Sequence, residues 1–262
     1  MHGSSTICVI SGSQRSGTTL LGLVLNSHSQ VRLVGEEDYQ RFVEDDEDIT
    51  ERVVCFKLPM VVQLVDLLGR YGPQKILWCS RDPRAVVASM LSLVSVLEGQ
   101  SMPWANNPMG AQAEICWAIK YLSEVPDELL DKYEIVRQIS GAERTREDAV
   151  HMASIAWRLK QEFYMGYLKE KYTNHLVVYE EFVSDPKRVI TDILNFIGLE
   201  WQDSVMRHHV IHEGSSVGDT DNTRAIDNQS IEKWKRQLST SELDIVKQIC
   251  GETASKLGYG LK

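Results

Sequence analysis

The sequence has few of the features that mark secreted or membrane proteins. Its five cysteines are scattered without a CxxC pair, so we expect buried free thiols in a reducing compartment and no disulfide framework. No apolar run approaches the roughly 20 residues that cross a bilayer. The N-terminus lacks a signal-peptide pattern. We therefore expect a cytoplasmic protein without a membrane span.

Positive charge is also scarce. The chain has 28 Lys and Arg against 37 Asp and Glu, which gives a net charge of −9. Binding to a nucleic-acid backbone depends on massed Lys and Arg, so a general nucleic-acid binder is excluded. One small anionic cofactor in a locally basic pocket remains compatible with this charge.

The order of apolar segments predicts an α/β fold. Helical patterns separate four short apolar runs that predict buried strands: Thr6 to Ile10, Val53 to Phe56, Ile76 to Cys79 and Leu176 to Val178. The clearest helix signals are Thr18 to Asn26 and the capped starts at Asp82-Pro83, Asp185-Pro186 and Ser239 to Glu242. Such alternation predicts three layers, with a parallel central sheet covered by helices on both faces. In these sheets ligands bind at the carboxyl ends of the strands.

A glycine-rich turn follows the first predicted strand. Its residues, Gly12 to Thr19, have the Gly-x4-Gly-x-Thr spacing of a phosphate-binding P-loop. The lysine of nucleotide hydrolases is replaced by Thr18, the cation is instead Arg15, and no strand ends in a clear metal-holding Asp. The turn therefore favours anion binding without the charge clamp of ATP or GTP hydrolysis.

This turn resembles the 5′-phosphosulfate loop of sulfotransferases that use 3′-phosphoadenylyl sulfate (PAPS). The Arg-Ser-Gly-Thr-Thr sequence is similar to that of tyrosylprotein sulfotransferases and bacterial relatives, and the likeness continues through Gly35-Glu36-Glu37. The resemblance implies a P-loop NTPase-like sulfotransferase fold with PAPS as cosubstrate and 3′-phosphoadenosine 5′-phosphate (PAP) as product. It implies that Glu37 is the general base. Because the chain has one extra residue before this motif, Glu36 stays an alternative.

The resemblance assigns roles at the other strand ends. Lys57 would assist catalysis beside the phosphosulfate, while Arg81 and Ser89 would bind the 3′-phosphate. The position where some relatives carry a further Arg is Leu93 here, so part of that clamp would come from elsewhere. Tyr179 would approach the adenosine, or simply pack, and Arg224 is the candidate cation of a C-terminal loop. The residues expected to catalyse or bind the cosubstrate are thus Arg15, Ser16, Gly17, Thr18, Thr19, Glu37, Lys57, Arg81, Ser89, Tyr179 and Arg224.

The remaining sequence suggests one domain with an insertion. We expect residues 1–262 to form a single sulfotransferase domain, with a helical lid at about residues 94–149 that forms the acceptor pocket. Within it, Met102, Trp104 and Trp117 are expected to offer apolar contacts. Arg84 is expected at the surface or beside the 3′-phosphate site.

The function expected is sulfuryl transfer from PAPS to a hydroxyl or amine, without a metal because Arg and Lys supply the charge. The acceptor, whether small molecule, lipid, carbohydrate or peptide, is left open, and so is the oligomeric state, a homodimer included. A P-loop small-molecule kinase and a catalytically silent PAPS- or nucleotide-binding protein are the alternatives. His208, His209 and His212 have metal-like spacing but no matching Cys or carboxylate pattern, so we do not expect a metal there.

Overall fold

The computed structural model describes residues 5–45, 49–72, 74–122, 124–212 and 223–261. Within these residues the strands are β1 (Thr6–Gly12), β2 (Val31–Val34), β3 (Val53–Lys57), β4 (Gln74–Ser80), β5 (Val94–Leu97), β6 (Gln100–Pro103) and β7 (Thr173–Val178). The α-helices are α1 (Thr18–Asn26), α2 (Glu36–Glu44), α3 (Pro83–Ser92), α4 (Ala113–Tyr121), α5 (Asp127–Arg137), α6 (Arg146–Phe163), α7 (Lys169–Lys171), α8 (Tyr179–Ser184), α9 (Pro186–Ile197), α10 (His208–Ile211), α11 (Trp234–Gln237) and α12 (Thr240–Lys256). Shorter 3₁₀ or π segments are Val62–Tyr71, Trp104–Asn106, Pro108–Gln112, Tyr164–Leu168 and Asp203–Arg207.

The chain divides into two compact units. Unit one comprises Met1–Ser80 and Lys171–Asn228, and unit two comprises Arg81–Glu170 and Gln229–Lys262. The single domain predicted from the sequence, with its insertion at about residues 94–149, stays a prediction.

Unit one is built on a parallel sheet with the strand order β2-β3-β1-β4-β7. Alternate side chains of β1 and β3, such as Cys8 and Cys55, join α1 and α9 in one hydrophobic core. The opposite face of β3 meets α2, where the rings of Phe42 and Phe56 lie edge to face with centroids 5.0 Å apart. Helices thus cover both faces, and the predicted parallel central sheet is confirmed.

The helix boundaries follow local capping chemistry. The Asp82 carboxylate accepts the backbone N–H of Arg84 at 2.8 Å and begins α3. The Asp185 side chain begins α9 in the same way, and Gly198 ends it in the left-handed conformation. Ser239 and Glu242 form the predicted capping box of α12.

Unit two surrounds the long helix α6, and the predicted insertion forms much of it. The segment at about residues 94–149, predicted to be helical, contains α4 and α5. The antiparallel hairpin β5–β6 in the same segment was not predicted. The expected acceptor contacts Met102 and Trp117 are only 6% and 8% exposed, so they pack inside unit two. Deleting the insertion would therefore remove interior packing. The exposed large apolar side chains of this segment, among the described residues, are instead Val94, Val96, Met109, Tyr121 and Ile135.

Four cysteines are buried free thiols, as predicted, but Cys116 is exposed. It lies on the outer side of α4, where its Sγ atom is 2.9 Å from the Tyr133 hydroxyl. The expectation of burial was wrong for this residue because a helix, unlike a buried strand, keeps one side toward solvent.

Arg144 is the main polar connection within the insertion. Its guanidinium, 7% exposed, donates to the carbonyl oxygens of Asn106 at 3.0 Å and Val136 at 3.1 Å and to the Gln112 side chain at 2.7 Å. We predict that Arg144→Met lowers the free energy of unfolding by about 3 kcal/mol or more, because several buried acceptors lose their donor together. Urea unfolding measures this change.

Arg137→Met is the control, since Arg137 forms an exposed pair with Glu134 and should leave stability nearly unchanged. Equal stability of the Arg144 and Arg137 variants would show that the buried bonds contribute nothing.

Candidate functional site

The glycine-rich turn leaves β1 as a backbone cradle. Arg15 and Gly17 have positive φ angles of 66° and 91°, and Gly12 has φ 149°. A Cβ atom at Gly12 would lie 2.1 Å from the Cys79 carbonyl oxygen, so only glycine fits this approach to β4. Left-handed residues among right-handed ones turn successive N–H groups to one side, which is the geometry of an anion-binding nest.

The first turn of α1 continues this cradle. Gly17 is its N-cap and no side chain caps the helix, so the amides of Thr18 and Thr19 begin it without a side-chain acceptor. The Ser16 hydroxyl points elsewhere: it donates to the Cys79 carbonyl at 3.1 Å and also to Ser13. Ser16 therefore shapes the turn, and any contact with an anion would come from its neighbours.

Lys57 ends β3, the strand beside β1. Its side chain is 9% exposed, and its stem passes α1 at Gly22. Within the described residues the Lys57 ammonium has neither a hydrogen-bond acceptor nor an ion-pair partner. The lysine is largely buried, while its ammonium keeps contact with solvent and lacks a counter-charge, so this position favours an anionic ligand.

The two adjacent glutamates at the start of α2 have different surroundings. The Glu36 carboxylate accepts the backbone N–H groups of Met60 and, at 3.3 Å, Val61. Glu37 is exposed and its carboxylate folds back over Gly35. Within the part of the chain that the structure describes, Glu37 has no hydrogen-bond donor or cation. Of the two candidate bases, Glu37 is therefore the one whose carboxylate is unengaged among the described residues.

Tyr179 follows the end of β7 and lies against the glycine-rich turn. Its Cδ2 atom would be only 2.5 Å from a Cβ atom at Gly17, and the residue is 9% exposed. The ring is thus in contact with the turn of unit one that the sequence assigned to the phosphosulfate. Arg224, in the same unit, is exposed and pairs with Asp227 at 3.4 Å.

Unit two carries the residues expected at the 3′-phosphate. Arg81 directly follows β4 in the chain, is 8% exposed and donates from Nη2 to the Ser230 carbonyl at 3.0 Å. Ser89 lies half-buried on α3. The Trp157 indole on α6 donates to the main-chain carbonyl of Arg81 at 3.1 Å.

Arg84 supports this motif from the side. It pairs with Asp82 at 2.7 Å, and its guanidinium lies 4.1 Å from the ring centre of Trp234. A cation stacked on an aromatic face and tied to a carboxylate is held in place. The expectation that Arg84 lies beside a 3′-phosphate site stays a prediction.

The histidines discounted as metal ligands occupy a buried corner of unit one. No group of three or more His, Cys, Asp or Glu side chains suited to a metal ion occurs among the described residues. Burial, with the nearby His209 and His212, lowers the pKa of His208 from 6.5 to about 4. His208 is 1% exposed, and neither ring nitrogen has a hydrogen-bond partner within the described residues.

This histidine predicts a loss of stability in acid. The folded pKa is below the unfolded one, so the unfolded state binds more protons as pH falls from about 6.5 toward about 4. Stability is then full above pH 6.5 and declines by up to about 1.4 kcal/mol per pH unit in that window. We expect His208→Leu to reduce this decline in urea unfolding at pH 7.5, 6 and 5. Parallel losses in both proteins would contradict the prediction.

Sequence reasoning missed two sets of contacts, one in each unit, that fix candidate site residues. Both join segments that are distant in the chain. The backbone N–H groups of Met60 and Val61 donate to Glu36, and the Trp157 indole donates to Arg81. The capping residue Asp82 was the local signal near the contact of Trp157 with Arg81. The sequence around a buried Trp in a helix does not indicate which group its indole contacts.

Comparison with known proteins agrees with this geometry. The family model described as Sulfotransferase domain matches residues 6–258. The chain resembles the sulfotransferase domain of the curacin biosynthetic pathway, with 17% identity and a TM-score of 0.55 over 98% of this chain and 99% of that one. It also resembles the sulfotransferase domain of the Synechococcus PCC 7002 olefin synthase, with 16% identity and a TM-score of 0.59 over 100% of this chain and 98% of that one.

At these identities the structural likeness shows a shared fold. Curated proteins give no significant match to the chain. No helix in the described residues is long and apolar enough to cross a membrane. Since the family model spans nearly the whole sequence, the chain belongs to the sulfotransferase domain family.

Proposed function

We propose that this sulfotransferase takes the sulfuryl group from PAPS and transfers it to a hydroxyl or amine of an acceptor. The observation that carries the proposal is Lys57, a buried lysine at a strand end with no anionic partner among the described residues. It is the last residue of β3, which pairs with β1 just before the glycine-rich turn, where a phosphosulfate would supply the missing charge.

The loop itself fits such a group. Side chains at Gly12 or Gly17 would collide with Cys79 or Tyr179, so the tight path of the loop requires glycine at both positions. In the proposal, Arg15 with the amides of the loop and of Thr18 and Thr19 binds the 5′-phosphosulfate. In unit two, Arg81 and Ser89 bind the 3′-phosphate through the fork of the guanidinium and a hydroxyl. Tyr179 and Arg224 are the further proposed contacts to the cosubstrate.

The chemistry proposed is an in-line displacement at sulfur. The acceptor oxygen or nitrogen forms a bond to sulfur while the bond from sulfur to the bridging phosphate oxygen breaks. Glu37 takes the acceptor's proton, and the leaving PAP keeps the bonding electron pair. Lys57 and Arg15 stabilise the negative charge that grows on the bridging oxygen. In this scheme the cations perform the task that a metal performs in phosphoryl transfer.

The acceptor is proposed only by its chemical class: it is a small molecule, lipid, carbohydrate or peptide that presents a hydroxyl or amine. A homodimer and a cytoplasmic location likewise stay predictions. The free thiols Cys8, Cys55, Cys79, Cys116 and Cys250 are compatible with reducing conditions.

Isothermal titration with PAP and with ADP, in the absence of metal, tests the donor. We expect micromolar PAP binding and much weaker ADP binding, because ADP has no 3′-phosphate for Arg81 and Ser89. Equal affinities, or ADP binding that requires Mg²⁺, would contradict the proposal and favour the kinase alternative. A protein that binds PAP but never transfers sulfate would be the silent nucleotide-binding alternative, in which Glu37 and Lys57 have no catalytic task.

A further inference from the structure

The main-chain carbonyl of Arg81 lies where regular backbone hydrogen bonding stops. The ladder between β4 and β7 ends with the pair Ser80 and Val178, and α3 begins at Pro83. A carbonyl at such a junction can accept from a donor outside the ladder and the helix. It accepts a hydrogen bond of 3.1 Å from the indole Nε1 of Trp157.

Trp157 is a rigid donor for this carbonyl. The residue lies on α6 and is fully buried, so close packing sets the position of its ring. The Arg81 side chain is attached on its other side through Nη2 to the Ser230 carbonyl at 3.0 Å. Bidentate recognition of a phosphate needs the guanidinium within about 0.5 Å of its place, and a fixed main chain is the first condition for that.

We propose that Trp157 is a positioning residue for 3′-phosphate recognition: its indole N–H fixes the Arg81 carbonyl and thereby aims the Arg81 guanidinium. The proposal rests on the proposed use of PAPS. It assigns to Trp157 no contact with the cosubstrate, only an action through Arg81.

Unit two offers a matched control in Trp117. This tryptophan is also buried, at 8% exposure, but its Nε1 atom has no hydrogen-bond partner among the residues described. Trp157→Phe and Trp117→Phe remove the same atoms from two buried positions of unit two. Only the first removes a bond to the 3′-phosphate motif.

The experiment is titration of wild type and both variants with PAP and with ADP. We expect Trp157→Phe to weaken PAP binding about tenfold, the value of one hydrogen bond, and to change ADP binding by less than about twofold. Trp117→Phe should leave the ratio of the two affinities at its wild-type value. An unchanged ratio in Trp157→Phe, or equal losses for PAP and ADP, would overturn the proposal.

Two further measurements separate positioning from folding. If Trp157→Phe does not fold, benzothienylalanine at position 157 removes the N–H donor while keeping the ring shape, and the same ratio applies. In an Arg81→Met background, Trp157→Phe should cause no additional loss of PAP affinity, because its effect passes through Arg81; an additive loss would overturn the proposal. Failure of wild type itself to prefer PAP over ADP would instead refute the proposed donor.

Discussion

Glu37→Gln should bind PAP as the wild type does and lose turnover by about 10²-fold or more, the usual scale of general-base catalysis. Glutamine keeps the shape of the side chain but cannot take the acceptor's proton. The carboxylate is exposed at the start of α2 and has no donor or cation among the described residues, so its removal breaks no bond seen in the fold. Steady-state sulfuryl transfer and PAP titration measure the two effects separately.

The neighbours of Glu37 are the controls. Glu36→Gln retains an oxygen that can accept the N–H groups of Met60 and Val61, so turnover should stay near wild type. Asp38→Asn removes another exposed carboxylate, whose one ion pair among the described residues is with Arg41 in the first turns of α2. Loss of turnover in Glu36→Gln but not in Glu37→Gln would transfer the role of base to Glu36. Equal losses in all three variants would indicate a general charge effect.

Strands were predictable where their burial gives a continuous run of apolar residues in the sequence. The central strands β1, β3, β4 and β7 are continuous apolar runs because both faces of a parallel sheet are covered. They extend beyond the prediction where polar residues, such as Ser11 and Lys57, still take part in the ladder. The edge strand β2 was missed because it is only four residues long and contains Arg32.

The hairpin β5–β6 was missed for a different reason. Its two-residue turn consists of Glu98 and Gly99, both with positive φ angles, 51° and 81°. Turns of this kind usually carry Asn or Asp before Gly, and Glu at that position gives no comparable signal. Backbone geometry that a hairpin imposes on an unfavourable residue cannot be predicted from local preference.

The candidate site was likewise predictable in part: the residue types could be predicted, but their contacts could not. Residue types at the strand ends pointed to Lys57, Arg81 and Tyr179 because chain order alone brings the ends of parallel strands to one edge. The state of each side chain depended on distant partners. Glu36 is engaged by residues 24 and 25 positions away, and Arg81 is held by Trp157, 76 positions away. Such pairings are fixed by tertiary packing, which short motifs do not contain.

Lys57→Met should change stability and activity in opposite directions. Methionine fits an apolar strand end and removes a partly desolvated ammonium that has no partner in the described part of the chain, so the free energy of unfolding without ligand should rise by up to about 1 kcal/mol. The same change should lower kcat/KM by about 10²–10³-fold, since one donor aimed at the developing charge is lost. Urea unfolding and steady-state kinetics measure the two quantities.

Lys75→Met is the control on β4, which pairs with β1 on the side away from β3. The Lys75 ammonium donates to the Phe196 carbonyl at 2.5 Å and lies 5.3 Å from the centre of the Phe196 ring, so its loss should lower stability and leave kcat/KM near wild type. A stabilised and inactive Lys57 variant beside a destabilised and active Lys75 variant means that the buried charge at position 57 serves the reaction at the expense of the fold, as expected for a functional site. A Lys57 variant that loses stability, or that keeps its turnover, would mean that Lys57 belongs to the structure of β3, and the phosphosulfate would have to be bound without it.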